Sequence, residues 1–213
     1  MKFKEMKRQN IDVWQVKIMD NLEFKEDTHQ YFYKGLEVPS VTQIISASNQ
    51  GALDNIPTSI LENASERGTA VHQAIEFYNK YKFANISEEY KPYFEAYQDW
   101  YKKNQFPFVE VKSEVQVYHK ILNYAGTIDM LITDTMEEKT LVDIKTTNEL
   151  NMKYVALQLS AYKEALHSQN INVKNMYVLW LKKDGTYEYI EVPDKKNIFM
   201  YSLLLYNFWK GEI

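Results

Sequence analysis

The sequence contains no cysteine, which excludes disulfide bonds, thiolate zinc sites and iron–sulfur clusters held by cysteine. It has no apolar run long enough to span a bilayer. Its opening stretch, MKFKEMKRQN, lacks the apolar centre of a signal peptide, so a cytoplasmic location is expected. Internal repeats and low-complexity segments are missing too, and no second domain is visible. Nor is there an excess of positive charge. The formal net charge of −4 argues against a protein that coats nucleic acid by bulk electrostatics, while leaving room for a local basic groove.

What is present suits a compact fold. The 213 residues are 45% hydrophobic and 15% aromatic, enough for one domain over residues 1–213 with a small β-rich extension at residues 1–38. The abundance of Asn, Lys, Ile and Tyr points to an AT-rich genome.

The most informative stretch runs from Tyr124 to Thr147. Two β-branched, apolar halves, Gly126 to Thr133 and Thr140 to Thr146, flank a polar run centred on Met136, which predicts a β-hairpin. Antiparallel counting about Met136 then sets Asp129 opposite Asp143. With side chains alternating, Asp143 and Lys145 point one way while Val142 and Ile144 enter apolar packing. Two facing carboxylates repel, and Lys145 supplies only one compensating charge, so a hard divalent cation, Mg²⁺ or Mn²⁺, fits the pair. Alone, a D-x-K tripeptide is common and reads as a solvated ion pair. The sequence G-x-I-D followed by L-V-D-I-K-T-T is far more specific.

Elsewhere the chain reads as alternating elements. Ser40 with Gln43 forms a capping box before a short helix in which Val41, Ile44 and Ile45 pack. Pro57 opens a further helix, and the segment from Ser65 is helical, with Val71, Ile75 and Tyr78 on one face and His72 four residues from Glu76. Ser87, Glu88 and Glu89 start a helix to about Asn104, whose aromatic stripe Tyr90, Phe94, Tyr97, Trp100 and Tyr101 reads as core rather than as a base-stacking surface. Phe106 to Tyr118 alternates as a half-exposed strand; if it is regular, Glu114 faces away from Val111, Val115 and Val117, as a group near the site or as an ordinary exposed glutamate. A helix over Asn148 to Gln169 places Gln158 and Tyr162 on one face. A hairpin over Asn175 to Val192 follows, then a closing helix from Pro193 with Ile198, Tyr201, Leu204, Leu205 and Phe208 on its packed side. His29, His119 and His167 read as structural or exposed.

Taken in order, these residues resemble the core of the PD-(D/E)XK nuclease superfamily, and most of all its RecB-like exonuclease branch. The resemblance lies in P-S-V-T at Pro39, R-G-T-A-V-H with Arg67 and His72, G-T-I-D ending at Asp129, D-I-K at Asp143 to Lys145, and Q-x-x-x-Y at Gln158 and Tyr162. It implies a restriction-endonuclease-like α/β fold, a central mixed sheet flanked by helices. It also implies a metal held by His72, Asp129, Asp143 and the carbonyl of Ile144, with Glu114 as an additional acidic group and Lys145 as the group that orients the attacking water. Arg67, Gln158 and Tyr162 would position the substrate strand. Cysteine-held clusters occur in part of the branch and are excluded here, so the chain is most similar to compact phage-type exonucleases.

The function expected from this resemblance is a Mg²⁺- or Mn²⁺-dependent deoxyribonuclease acting on single strands or DNA ends, in recombination, repair or phage DNA processing, with recombination or replication proteins as partners. A structure-specific endonuclease built from the same residues is one alternative. A nuclease-fold binding protein, serving as a recombination accessory or nuclease inhibitor, is the other. A phage or prophage of a low-GC bacterium is the expected source.

Overall fold

A computed structural model describes residues 20–47 and 58–211, with only the backbone described at 58–62. The first half of the expected extension, Pro57 and the loop before it lie outside the described residues.

Three short strands, β1 (Leu22–Lys25), β2 (Gln30–Tyr33) and β3 (Leu36–Val38), make a small antiparallel sheet. Leu22, Tyr31 and Val38 pack it against Tyr118 and Ala125, and Tyr33 stacks on Tyr118 with ring centroids 4.1 Å apart. The chain then enters α1 (Val41–Ala47) through the expected capping box. The Ser40 amide donates to Gln43 Oε1 at 2.8 Å, and the Gln43 amide donates to Ser40 Oγ at 3.1 Å. Two amides that the first helical turn leaves without partners are thereby satisfied.

The central sheet has the order β4 (Phe108–His119), β5 (Tyr124–Asp134), β6 (Lys139–Lys145), β7 (Asn175–Leu181) and β8 (Tyr187–Glu191). Only β6 and β7 run parallel, which their connection through α4 (Met152–His167) permits. One face of the sheet packs on α1, α4 and α5 (Lys196–Lys210), around Ile44, Val117, Leu141, Leu159 and Phe199. The other packs on α2 (Thr58–Tyr81) and α3 (Lys91–Asn104), around Val71, Tyr97, Trp100, Met130, Val142 and Ile144. This is the mixed α/β architecture expected from the sequence, and the aromatic stripe of α3 is core, as anticipated.

Several expectations need correction. The α3 helix begins at Lys91 rather than at Ser87, because Ser87 closes a preceding turn by accepting from the Tyr90 and Lys91 amides. Pro92, without an N–H to leave unpaired, sits in the first turn. The closing helix presents the opposite face from the one anticipated. Phe199, Ser202 and Leu203 are buried, whereas Ile198, Tyr201, Leu204, Leu205 and Phe208 are each about half exposed. Because KNIFMYSLLLYNFWK is apolar nearly all round, its periodicity cannot select a face, and the choice falls to where α1 and α4 lie.

Strand β4 is also not regular. Val115 and Val117 join the core beneath α1 and α4, but Val111 packs on the α2–α3 side. The alternation breaks at Glu114, whose φ of +51° lies in the left-handed region.

Candidate metal centre and active site

Register brings the acidic residues together. On β4 and β5, Ser113 pairs with Met130 and Val115 with Ile128, so Glu114 falls opposite Asp129. On β5 and β6, Met130 pairs with Val142, so the next step sets Asp129 opposite Asp143, as the hairpin count about Met136 anticipates. Glu114, Asp129 and Asp143 therefore form one row across three adjacent strands. Alternation fails on β5 at the same level: Ile128 lies in the α1–α4 core, Met130 in the α2–α3 core. That double kink turns Glu114 and Asp129 towards α2, while the regular strand β6 sends Asp143 and Lys145 towards α4.

His72 meets the row from α2. Its Nδ1 lies 3.4 Å from Glu114 Oε1 and 3.8 Å from Asp129 Oδ1, and its Nε2 lies 3.1 Å from the Ile144 carbonyl oxygen. One ligand atom from each of His72, Glu114 and Asp129 falls within 4.8 Å of the others, a spacing a metal ion can span. Because a carbonyl can only accept, Nε2 carries a proton, and Nδ1 is left to face the carboxylates, as a donor while the ring is charged and as a ligand atom once that second proton is lost. Asp129 Oδ2 accepts the Ile144 amide at 2.7 Å, which ties β5 to β6, while His72 ties α2 to the carbonyl of the same residue. His72, Asp129 and Ile144 thus come together as the sequence suggested, joined by Glu114. Asp143 is not one of that group of three and sits one place along the row.

Asp143 is almost completely buried and anchors the other half of the site. Lys145 Nζ donates to Asp143 Oδ1 at 2.8 Å and to Gln158 Oε1 at 3.3 Å, and Gln158 Nε2 donates to Tyr162 Oη at 3.1 Å. The Q-x-x-x-Y pair therefore acts on Lys145 from α4. Gly126 explains why the preceding motif carries a glycine. A Cβ at this position would lie 2.5 Å from Tyr162 Cε1, so only glycine lets that ring reach Gln158. Arg67 donates to Thr146 Oγ1 at 3.4 Å and lies 5.6 Å from the centre of the Tyr93 ring.

The charges are poorly matched without a cation. Burial pushes the Asp143 carboxyl up to about 6, and the neighbouring Asp129 charge adds to the shift against Lys145. Burial raises Asp129 as well, with His72 and Lys145 opposing it. For His72 burial acts downward, yet Asp129 and Glu114 outweigh it and carry the imidazole up to about 9. The charged imidazole thus offsets part of the carboxylate charge and leaves a deficit of positive charge that a metal ion would fill. Asp143 Oδ2, buried and without a hydrogen-bond partner, marks the same deficit. Oxygen donors from Glu114, Asp129 and Asp143 with one imidazole nitrogen suit a divalent ion between the hard and borderline classes.

The remaining histidine reading also has a structural outcome. His119 is buried, and its Nδ1 accepts the Ile121 and Leu122 amides at 3.3 and 3.1 Å, so it closes the β4–β5 turn. Residues the sequence left unassigned near the site include Asn79, which donates to Ser113 Oγ at 2.9 Å beside the kink. Its only sequence signal was a place one helical turn beyond Ile75, on a helix already of interest.

A mixed α/β fold with His72, Glu114 and Asp129 placed where they could hold a metal ion suits a hydrolytic nuclease, and comparison with known proteins names the family. The family model of the PD-(D/E)XK nuclease superfamily matches residues 84–198, more than half of the chain. The chain belongs to that superfamily. The matched region holds Glu114, Asp129, Asp143, Lys145, Gln158 and Tyr162, while Arg67 and His72 lie before it. No curated protein sequence matches. Solved structures with a similar arrangement include the crystal structure of SSO0001, at 15% identity and a TM-score of 0.43 over 79% of this chain and 72% of that one. Another is the alkaline exonuclease LHK-Exo from Laribacter hongkongensis, at 12% identity and a TM-score of 0.40 over 81% and 86%. Among the described residues no helix is long and apolar enough to cross a membrane.

Proposed function

We propose that this nuclease is a Mg²⁺- or Mn²⁺-dependent deoxyribonuclease of the RecB-like branch, degrading single-stranded DNA or DNA from its ends. The observation that carries the reading is the carboxylate row itself. Three acidic groups stand on three neighbouring strands, with His72 at one side, Lys145 at the other and an unpaired oxygen on Asp143. Glu114, Asp129 and His72, with Asp143 and the Ile144 carbonyl, are the groups that would hold the ion. When bound, it supplies charge neutralisation at the phosphate and a lowered pKa for a coordinated water.

The protein's own groups account for the rest. Lys145 uses two of its three N–H donors on Asp143 and Gln158, which leaves one for a water or a phosphate oxygen. Burial pulls the Lys145 ammonium down, but Asp143 and Asp129 more than offset it, so the group stays charged and serves as a donor and not as a base. A positive donor already oriented towards developing negative charge costs no reorganisation during reaction. Tyr162 and Gln158 hold it there, and Arg67 sits beside Thr146 where the chain leaves the catalytic strand.

The test is degradation of 5′- and 3′-labelled DNA, single- and double-stranded, linear and circular, with each metal. End-dependent loss of label from linear substrates is expected. Cleavage of circular DNA at an equal rate would convert the reading to an endonuclease, and no cleavage by the metal-loaded protein would defeat it.

A further inference from the structure

The row of carboxylates has a counterpart of opposite charge. Where β6 and β7 end side by side, a cavity of about 310 Å³ opens between the start of α3, the segment after Lys145 and the β7–β8 turn. Tyr93, Thr146, Trp180, Lys182, Lys183 and Asp184 are among the residues that line it. Thr146 directly follows the catalytic strand, and its hydroxyl accepts from Arg67, so the cavity is continuous in chain and hydrogen bonding with the site.

We propose that this cavity seats one nucleotide of a single strand, next to the phosphate being cleaved, with Trp180 against its base and Arg67, Lys182 and Lys183 around its phosphate. The assignment rests on the nuclease reading and adds to it a place for the strand. Three features carry it.

Trp180 is a fixed platform. Its indole N–H donates to the Thr147 carbonyl at 2.7 Å, and its position on β7 pairs with Lys145 on β6. The indole is thus referenced directly to the catalytic lysine, and a stacked base would inherit that register. Lys182 lies over one face of the same ring, with Nζ 4.6 Å from its centre, so a base would take the opposite face with a cation close by for its phosphate.

Arg67, Lys182 and Lys183 outnumber the neighbouring carboxylates of Asp184 and Glu188, in a chain whose total is −4. Lys182 pairs with Glu188, and Asp184, exposed at the edge of the cavity, accepts from the Thr186 amide and hydroxyl. Lys183 is exposed and makes no ion pair among the described residues. Phosphates repelled by three carboxylates need cations close by on the path of the strand, and this is where the sheet supplies them. Finally, an aromatic platform can stack only an unpaired base, which selects single-stranded over duplex substrate.

The proposal is tested by anisotropy with a labelled short oligothymidylate, in EDTA so that binding is read without cleavage. Trp180→Ala is expected to weaken binding roughly ten- to hundredfold, the loss of one stacked base. Trp180→Phe keeps a platform and should stay within about threefold. Lys183→Ala, on an exposed side chain that cannot unsettle the fold, should lower the salt dependence by about one phosphate contact. Wild-type protein should prefer the oligothymidylate to thymidine 5′-monophosphate by at least about a hundredfold.

Affinity unchanged within about twofold in both Trp180→Ala and Lys183→Ala would overturn the proposal, and equal affinity for the mononucleotide would overturn its assignment to a strand. Hydrolysis of bis(p-nitrophenyl) phosphate separates the two readings, since this small diester has no neighbouring nucleotide. Pocket variants should hydrolyse it at the wild-type rate, and a loss in Trp180→Ala as large as that on DNA would mean a disturbed fold and sink the pocket. Wild-type protein that binds the strand through Trp180 but hydrolyses neither substrate would sink the nuclease reading alone.

Discussion

Strands β4 and β6 both place an acidic residue in the same row, and they do so by opposite means. On β6 the alternation is strict: Val142 and Ile144 enter the core beneath α2 and α3, and Asp143 and Lys145 point the other way to meet Gln158. On β4 the alternation fails at Glu114, where a left-handed backbone turns the carboxylate towards His72. The regular strand sets the Asp–Lys pair, and the irregular one completes the set of groups that a metal needs. A residue held at positive φ without being glycine costs of order 1–3 kcal/mol, and its location at the centre of the site is where such strain is expected to be retained.

Predictions follow from weakening one side of this contrast at a time. The largest effect belongs to β6. Lys145→Ala should lower DNA hydrolysis at least about a hundredfold, the scale for loss of one preorganised donor, and lower the melting temperature as well, since it leaves the Asp143 carboxyl buried without its ion-pair partner. Activity within about threefold of wild type would remove Lys145 from the chemistry. Next comes its support. Gly126→Ala forces a methyl group into Tyr162, so it should cost about 1–3 kcal/mol of stability and reduce kcat while leaving metal affinity unchanged. An unaltered kcat would show that Lys145 does not depend on the Tyr162–Gln158 chain.

The charge imbalance gives a pH signature for the metal-free protein. Asp143 holds its proton up to about 6 in the fold against 3.8 ordinarily, and His72 up to about 9 against 6.5. In both cases the folded protein binds the proton more tightly than the unfolded chain does. These contributions are therefore favourable on the acid side, Asp143's below about 4 and His72's below about 6.5. They are lost as pH rises through 6 and then 9. The melting temperature of metal-free protein relative to Asp143→Asn should fall across the lower of these windows, and relative to His72→Gln across the upper. A flat difference in either would contradict the corresponding assignment. The rise in melting temperature on adding Mn²⁺ should grow with pH.

The smallest effect concerns β4. Glu114→Gly accepts the left-handed backbone but has no carboxylate, whereas Glu114→Gln keeps side-chain length and strain. Both should weaken metal binding, and the glycine variant should be the more stable by about 1 kcal/mol when metal-free. A glutamine variant as stable as the glycine one would mean that the kink is unstrained.

This contrast also explains what could be read from the sequence. The β5–β6 register follows from counting outward from the turn at Met136, and the shared face of Asp143 and Lys145 and the approach of Gln158 and Tyr162 follow from period-two and period-3.6 spacing within regular elements. Glu114 could not be placed that way, because counting through it assumes the alternation that it breaks. The face of α5 was illegible for another reason: Ile198 and Phe199, or Leu203 and Leu204, are equally apolar neighbours, and only the positions of α1 and α4 decide which is buried. Trp180 falls within the hairpin read over Asn175 to Val192 and carries no signal of its own there, since its link to Thr147 crosses between elements far apart in sequence.

The central claim is that one cation joins the strained strand to the regular one. Isothermal titration of metal-free protein with Mn²⁺ tests it most directly, comparing wild type with Glu114→Gln, Asp129→Asn and Asp143→Asn. Saturable binding that is weakened by all three substitutions is the predicted result. No binding to wild type, or binding that Asp129→Asn and Asp143→Asn leave unchanged, would contradict it.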